Sequence, residues 1–214
     1  MSFKNRLVTW SFWTSIVAAL AQPFSLGCGE SDKYLLPRPI GSNIEQKVDE
    51  SRRFALVIVD MQPKFWDRVN SYEREEELPN QIEVVRYCNQ HKIPIVVLEY
   101  LNGGNTIEEL TDEVEKNPNY RCITKRKDDG FENTGLDIQL REWGTNSVLL
   151  MGVNAGSCVA QTANAANKKG YQIWTAQDLV ANGDWESERN DYQEYFKRIG
   201  QYSDDYREIL PHLR

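Results

Sequence analysis

The run from Ser147 to Ala163, SVLLMGVNAGSCVAQTA, is where the chain most openly carries chemistry. Apolar residues Val148 to Met151 stop at Gly152, a short polar turn follows, and Cys158 opens a segment rich in Ala and other small residues. That order reads as a strand, a tight turn and a helix start with a thiol at the junction. A cysteine near a helix N-terminus feels the positive end of the backbone dipole, which favours the thiolate, and the thiolate is the nucleophile. A small buried Cys packing a helix against a sheet has the same local pattern. Asp60 directly follows the five apolar residues Ala55 to Val59, so its carboxylate sits near the low-dielectric core and must find a partner. A helix cap or loop anchor would also place an Asp there. Lys125 lies in the segment ITKRKDDGF, beside Arg126 and Lys127, where an ordinary solvated lysine would look the same.

The elements that would position these groups follow from apolar patterning. Phe54 to Val59 (FALVIV) is a continuous apolar run, as expected for a strand covered on both faces. A charged helix is expected over about Glu75 to His91, with Leu78, Ile82, Val85 and Tyr87 near helical spacing and Cys88 on the same helix. Ile93 to Leu98 reads as a second buried strand, and Ile123 marks a short third. Leu136 to Trp143 reads as a helix, Val148 to Met151 as a strand, Val159 to Lys169 as a helix and Tyr171 to Thr175 as a strand. The charged, aromatic stretch from Ser187 to Leu210 is expected to be helical in two pieces, and its tyrosines, with Trp185, are placed to cover a neighbouring subunit. Strands alternating with helices predict an α/β fold with a mainly parallel sheet and helices on both faces, a three-layer αβα sandwich. In such sheets, sites form beyond the carboxyl ends of the strands, which is where both Asp60 and Cys158 fall.

Composition sets the outer limits. At 214 residues and 40% hydrophobic, the chain is long enough for one sizeable core and short for two. A net charge of −7, with no Lys/Arg run that stands out, argues against nucleic acid as a partner. The four cysteines, Cys28, Cys88, Cys122 and Cys158, contain no CxxC pair and match no zinc spacing. With two histidines, His91 and His212, a His-based metal site or a Ser-His-Asp triad has little to draw on. No metal and no cofactor are expected.

The N-terminus has the order of an export leader. Lys4 and Arg6 precede the mostly apolar Leu7 to Ala21, and Ala19-Leu20-Ala21 has the small-x-small pattern of a cleavage site. Residues 1–27 are read as a signal peptide or an N-terminal helix, with export favoured over a cytoplasmic location and membrane contact only where the segment is retained. Residues 28–51 are read as a linker or extended arm, and 52–214 as one catalytic domain.

Three stretches together, VIVDMQPKF around Asp60, KRKDDGFENTGL from Lys125 and GVNAGSCVAQTA around Cys158, resemble the isochorismatase-like cysteine hydrolases, the superfamily that includes nicotinamidases and N-carbamoyl amidohydrolases. The resemblance covers about Arg53 to Asp178. It implies an Asp-Lys-Cys triad, with Lys125 preferred over Lys127 because the family lysine stands six residues before the Phe, here Phe131. Asp60 would act as general base and then general acid, Lys125 would supply positive charge, and Cys158 would form a covalent intermediate. It also implies a cis peptide at Val153–Asn154 and an oxyanion-binding turn over Val153, Asn154, Ala155 and Ser157. Many relatives carry Thr where this chain has Ala155. Nicotinamidases hold a metal through an Asp and two His residues, and this chain has no histidine between Leu98 and Lys125. Isochorismatases proper lack the nucleophilic Cys, so Cys158 argues against vinyl-ether hydrolysis.

Around the triad, Phe65, Trp66, Tyr100 and Phe131 are placed to line a substrate pocket, with Gln62 and Asn102 as hydrogen-bonding groups. Core packing is the competing role for Phe131. The expected function is hydrolysis of a C–N bond in a small amide or carbamoyl compound, by an enzyme that assembles as a homo-oligomer. A non-catalytic binding or scaffold protein of the same fold is the alternative.

Overall fold

The chain is described here from a computed structural model over residues 51–183 and 189–213. The expected leader, nearly all of the expected arm and Trp185 lie outside the described residues.

Strand β1 (Phe54–Val59) is the apolar run, and all six of its side chains are buried. Its alternate residues enter different cores. Phe54, Leu56 and Ile58 pack with Val84, Val85 and Cys88 on one face. Ala55, Val57 and Val59 pack with Ala163, Ala166 and Phe196 on the other. A strand buried on both sides cannot alternate apolar with polar residues, which is why the run is unbroken.

Strands β2 (Ile95–Tyr100), β3 (Tyr120–Lys125), β4 (Ser147–Val153), β5 (Gln172–Ala176), β6 (Val180–Ala181) and β7 (Gln201–Ser203) complete the sheet. Its order is β3-β2-β1-β4-β5-β7, with β6 beside the end of β4, and every pairing is parallel. Helices α1 (Pro63–Trp66), α2 (Ser71–His91), α3 (Glu108–Val114), α4 (Leu136–Glu142), α5 (Ala160–Lys168) and α6 (Arg189–Ile199) provide the connections. α2 and α3 cover one face through Val84, Val85, Cys88, Leu110 and Val114. α4, α5 and α6 cover the other through Leu136, Leu140, Ala163, Ala166 and Phe196. This is the three-layer αβα sandwich.

Several boundaries differ from those expected. α2 starts at Ser71, because Asn70 caps it by accepting the Glu73 N–H at 3.0 Å. Its first half buries Glu73, Glu77 and Gln81 instead of apolar residues, so the sequence shows no stripe there. β2 starts at Ile95, since Pro94 has no N–H for the ladder; the Pro94 carbonyl still accepts the Leu56 N–H at 2.9 Å. β3 is a full six-residue strand at the sheet edge, with Arg121, Cys122 and Thr124 exposed. The tail forms one helix, α6, and then β7, which pairs with β5 through Thr175 and Tyr202. Only short 3₁₀ turns, Tyr206–Glu208 and Leu210–His212, follow. Tyr192 and Tyr206 are buried in the chain's own cores, which corrects the expectation that they cover a neighbour.

Candidate active site

β1 is the point from which the chain extends the sheet in both directions, towards β2 and β3 on one side and β4 on the other. Such a switch point opens a crevice at the carboxyl ends of the strands. Asp60 leaves β1 in a left-handed conformation at φ 52°. Beside it, Gly152 of β4 has φ 118°, and a Cβ there would lie 2.1 Å from the Val59 carbonyl oxygen. Only glycine lets the two strand ends approach this closely.

Lys125 is the last residue of β3. Its ammonium reaches across β2 to Asp60, with Nζ 2.7 Å from Oδ2, and the two side chains are 0% and 1% exposed. Nζ also donates to the Lys127 carbonyl at 3.0 Å and lies 4.5 Å from the centre of the Tyr100 ring. Cys158 comes from the other side. β4 runs through a cis peptide at Val153–Asn154 into a wide helical turn, Ala155–Val159, which leads into α5. This brings the Cys158 thiol close enough to the Asp60 carboxyl group for each to shift the other's titration. Among the described residues, neither Asp60 oxygen accepts a well-aligned hydrogen bond, so the Lys125 ion contact is what offsets its burial. The structure therefore gathers Asp60, Lys125 and Cys158 in one place.

The electrostatics differ from the sequence expectation at one point. Burial pushes the Cys158 thiol up to about 12; the Asp60 carboxylate adds to this, while the Lys125 ammonium opposes it. Desolvation and the nearby carboxylates outweigh the helix-terminus dipole, so the resting sulfur is a thiol, not the thiolate that position alone predicts. Burial also raises Asp60, and Lys125 pulls it back. Burial thus acts on both groups in the same direction, and Lys125 opposes it at both.

The surrounding residues divide clearly. Tyr100 flanks Lys125, and Phe65 packs edge-on against Tyr100 at 5.9 Å. Gln62 is not available as a substrate donor: it is fully buried, donates to the Tyr100 and Gly104 carbonyls and accepts the Tyr100 N–H at 2.8 Å. It staples the loop after β2. Asn102 is an exposed turn residue of that loop at φ 61°. Trp66 sits in the core under α2 and lines a groove with Ser71, Arg74 and Leu78 that contains none of Asp60, Lys125 and Cys158. Phe131 packs with Tyr171 at 5.9 Å, in the core role. In the turn, the Gly156 N–H goes to Asn182 Oδ1 at 3.0 Å and the Ser157 N–H to the Asn154 carbonyl at 3.1 Å.

Sequence reasoning missed Asp128. Its Oδ1 accepts from the Cys158 thiol at 3.6 Å, and its Oδ2 accepts from Ser157 Oγ at 3.2 Å and Gln161 Nε2 at 3.1 Å. An acidic pair three and four residues past the lysine was the only signal.

Residues 54–204 match the isochorismatase domain. The chain belongs to the isochorismatase family. Streptothricin hydrolase from Streptomyces noursei is 36% identical to this isochorismatase-family chain over 142 residues, 61% of this chain and 55% of that protein. Ureidoacrylate amidohydrolase RutB from Pantoea ananatis is 26% identical over 124 residues, 58% of this chain and 49% of that protein. The chain thus spans about half the length of these curated relatives. The nicotinamidase SaPncA from Staphylococcus aureus is similar in structure, with a TM-score of 0.64 at 25% identity over 71% of this chain and 98% of that one. Among the described residues, no three His, Cys, Asp or Glu side chains are grouped to hold a metal ion.

Proposed function

We propose that this isochorismatase-family chain is a cysteine hydrolase acting on a C–N bond of a small amide or carbamoyl compound. The observation that carries this reading is the buried Asp60–Lys125 pair with a protonated Cys158 against it. An ion pair with both side chains out of water is costly to assemble unless the site uses it. Relatives named as an amidohydrolase and a nicotinamidase support the choice of amides.

In this mechanism Asp60 takes the thiol proton as Sγ bonds to the carbonyl carbon. Lys125 remains protonated and stabilises the Asp60 carboxylate before and after the transfer. The developing oxyanion is met by backbone N–H groups of the turn before α5, where those of Gly156, Ser157 and Val159 are already engaged within the protein. The C–N bond then breaks, Asp60 returns its proton to the leaving nitrogen, and a thioester remains. Water attacks that carbon, Asp60 accepts a water proton, and the C–S bond breaks as the proton returns to Sγ. The base is needed at both stages because the sulfur is not ionised at rest.

The test is ammonia or amine release from a panel of small amides and carbamoyl compounds with purified full-length protein. Turnover of at least one compound, lost in Cys158→Ala and in Asp60→Asn while both variants remain folded, is the expected result. Undiminished turnover in Cys158→Ala would reject the mechanism. Export belongs to the same proposal: sequencing the mature N-terminus is expected to find Gln22 first, and retention of Met1 would refute it.

A further inference from the structure

We infer that Asp128 determines specificity: its carboxylate, set against the nucleophile, selects substrates that carry a positively charged amino group on the first or second carbon beyond the scissile carbonyl. This rests on the reading of Cys158 as the nucleophile. It names the substrate class as amides of α- and β-amino acids.

Three observations carry it. The first is distance. Asp128 Oδ1 is 3.6 Å from Cys158 Sγ, and in a covalent adduct the acyl carbon is bonded to that sulfur. An ammonium on either of the next two carbons then comes within ion-pair range of the carboxylate. The second is rigidity. The Asp128 carbonyl accepts from Thr162 Oγ1 at 3.3 Å, and Thr162 Oγ1 accepts the Gly130 N–H at 2.9 Å. Buried Thr162 of α5 thus ties the loop on both sides of Asp129, and the carboxylate is aimed by its own backbone.

The third is charge. The charges of Asp60 and Lys125 cancel within their pair. Among the described residues, Asp128 has no such partner: its side-chain donors are a hydroxyl, a thiol and a carboxamide, all neutral. Among the described residues, the Asp128 charge within hydrogen-bond distance of the nucleophile is therefore not offset by a cation. A substrate ammonium replaces a neutral donor with a charge-assisted one, while a substrate carboxylate meets repulsion. Asp128 also adds to the negative potential that keeps the thiol protonated. Pairing it with a substrate cation relieves that potential, so the preferred substrate also eases ionisation of Cys158.

The test compares full-length wild type with Asp128→Asn and Asp128→Glu through two independent readouts. One is kcat/KM for glycinamide and β-alaninamide relative to the neutral acetamide and propionamide. The other needs no turnover: the rate at which Cys158, followed by peptide mass mapping, reacts with cationic 2-aminoethyl methanethiosulfonate relative to neutral methyl methanethiosulfonate. In both reactions Sγ displaces methanesulfinate and keeps the thioalkyl group, and rates are normalised to N-acetylcysteine. Wild type and Asp128→Glu are expected to favour the cation about 5- to 10-fold, the size of a half-buried ion pair, and Asp128→Asn to lose that preference. Equal cation-to-neutral labelling ratios in wild type and Asp128→Asn, or no cation preference in wild type, would overturn the inference. Should Asp128→Asn not fold, the wild-type ratio alone decides. Labelling that responds to charge without turnover of any amide would refute the hydrolase reading and leave the charge selection standing.

Discussion

Replacing Lys125 by methionine isolates the energetics of the buried pair. Methionine fills much of the same volume and leaves Asp60, 1% exposed, without its 2.7 Å partner. Removing one member of a buried pair costs about 3–5 kcal/mol when the other charge stays. Asp60 has an escape, because it can take up a proton. The cost of holding that proton in the folded state at pH 7, against an ordinary carboxyl value of 3.8, is at most about 4 kcal/mol at ~1.4 kcal/mol per pH unit. At pH 5 the same ceiling falls below ~2 kcal/mol. The sign follows from linkage. A carboxyl protonated in the folded state and ionised in the unfolded one contributes stability at low pH and loses it as pH rises. Urea unfolding of wild type and Lys125→Met at pH 5 and pH 7 is the assay. The stability difference is expected to grow by about 2 kcal/mol or more between the two values, and Asp60→Asn combined with Lys125→Met to remove most of it. A difference that is the same at both pH values, or under ~1 kcal/mol at pH 7, would refute the reasoning.

Two other perturbations probe the frame around the site. In Gly152→Ala the new methyl would lie 2.1 Å from the Val59 carbonyl oxygen at a φ of 118°. A loss of at least ~3 kcal/mol or a failure to fold is expected in thermal unfolding, and a melting temperature within a few degrees of wild type would contradict the close strand approach. Asp178, which accepts the Tyr206 N–H at 3.0 Å, is pushed up to about 6 by burial. Its folded value lies above its unfolded one, so stability should fall as pH rises from about 4 to 6, by less than ~3 kcal/mol because the group is partly solvated. Asp178→Asn should flatten that slope in urea titrations, and an unchanged slope would assign it to other groups.

The sequence exposed the parts of this structure that burial writes into composition. FALVIV and the apolar stretch of β4 had to be continuous because helices cover both faces, and their ends located Asp60 and the turn before Cys158. β3 was reduced to Ile123 because an edge strand half in water carries Arg121 and Thr124 as easily as apolar residues. α2 looked shorter than it is because buried Glu73 and Glu77 interrupt its stripe. β7 is three residues long, and its pairing with β5 is a tertiary fact without local pattern. At the site, residue type misled where hydrogen bonding decides the role. Gln62 has the residue type of a substrate contact but serves as a loop staple. Asp128 is indistinguishable in its charged run from a solvated carboxylate, although the fold brings it to the sulfur. The thiol's protonation state could not be read from its place before a helix, because it depends on two carboxylates contributed by segments far away in the chain.

Rapid acid quenching of the enzyme during turnover of an amide, followed by intact-mass measurement and peptide mapping, tests the central claim most directly. An acyl group of the substrate's mass, confined to the peptide that contains Cys158 and absent from Cys158→Ser, is the result this account predicts. Product accumulating with no acyl mass on the protein, or with the acyl group on another residue, would contradict it.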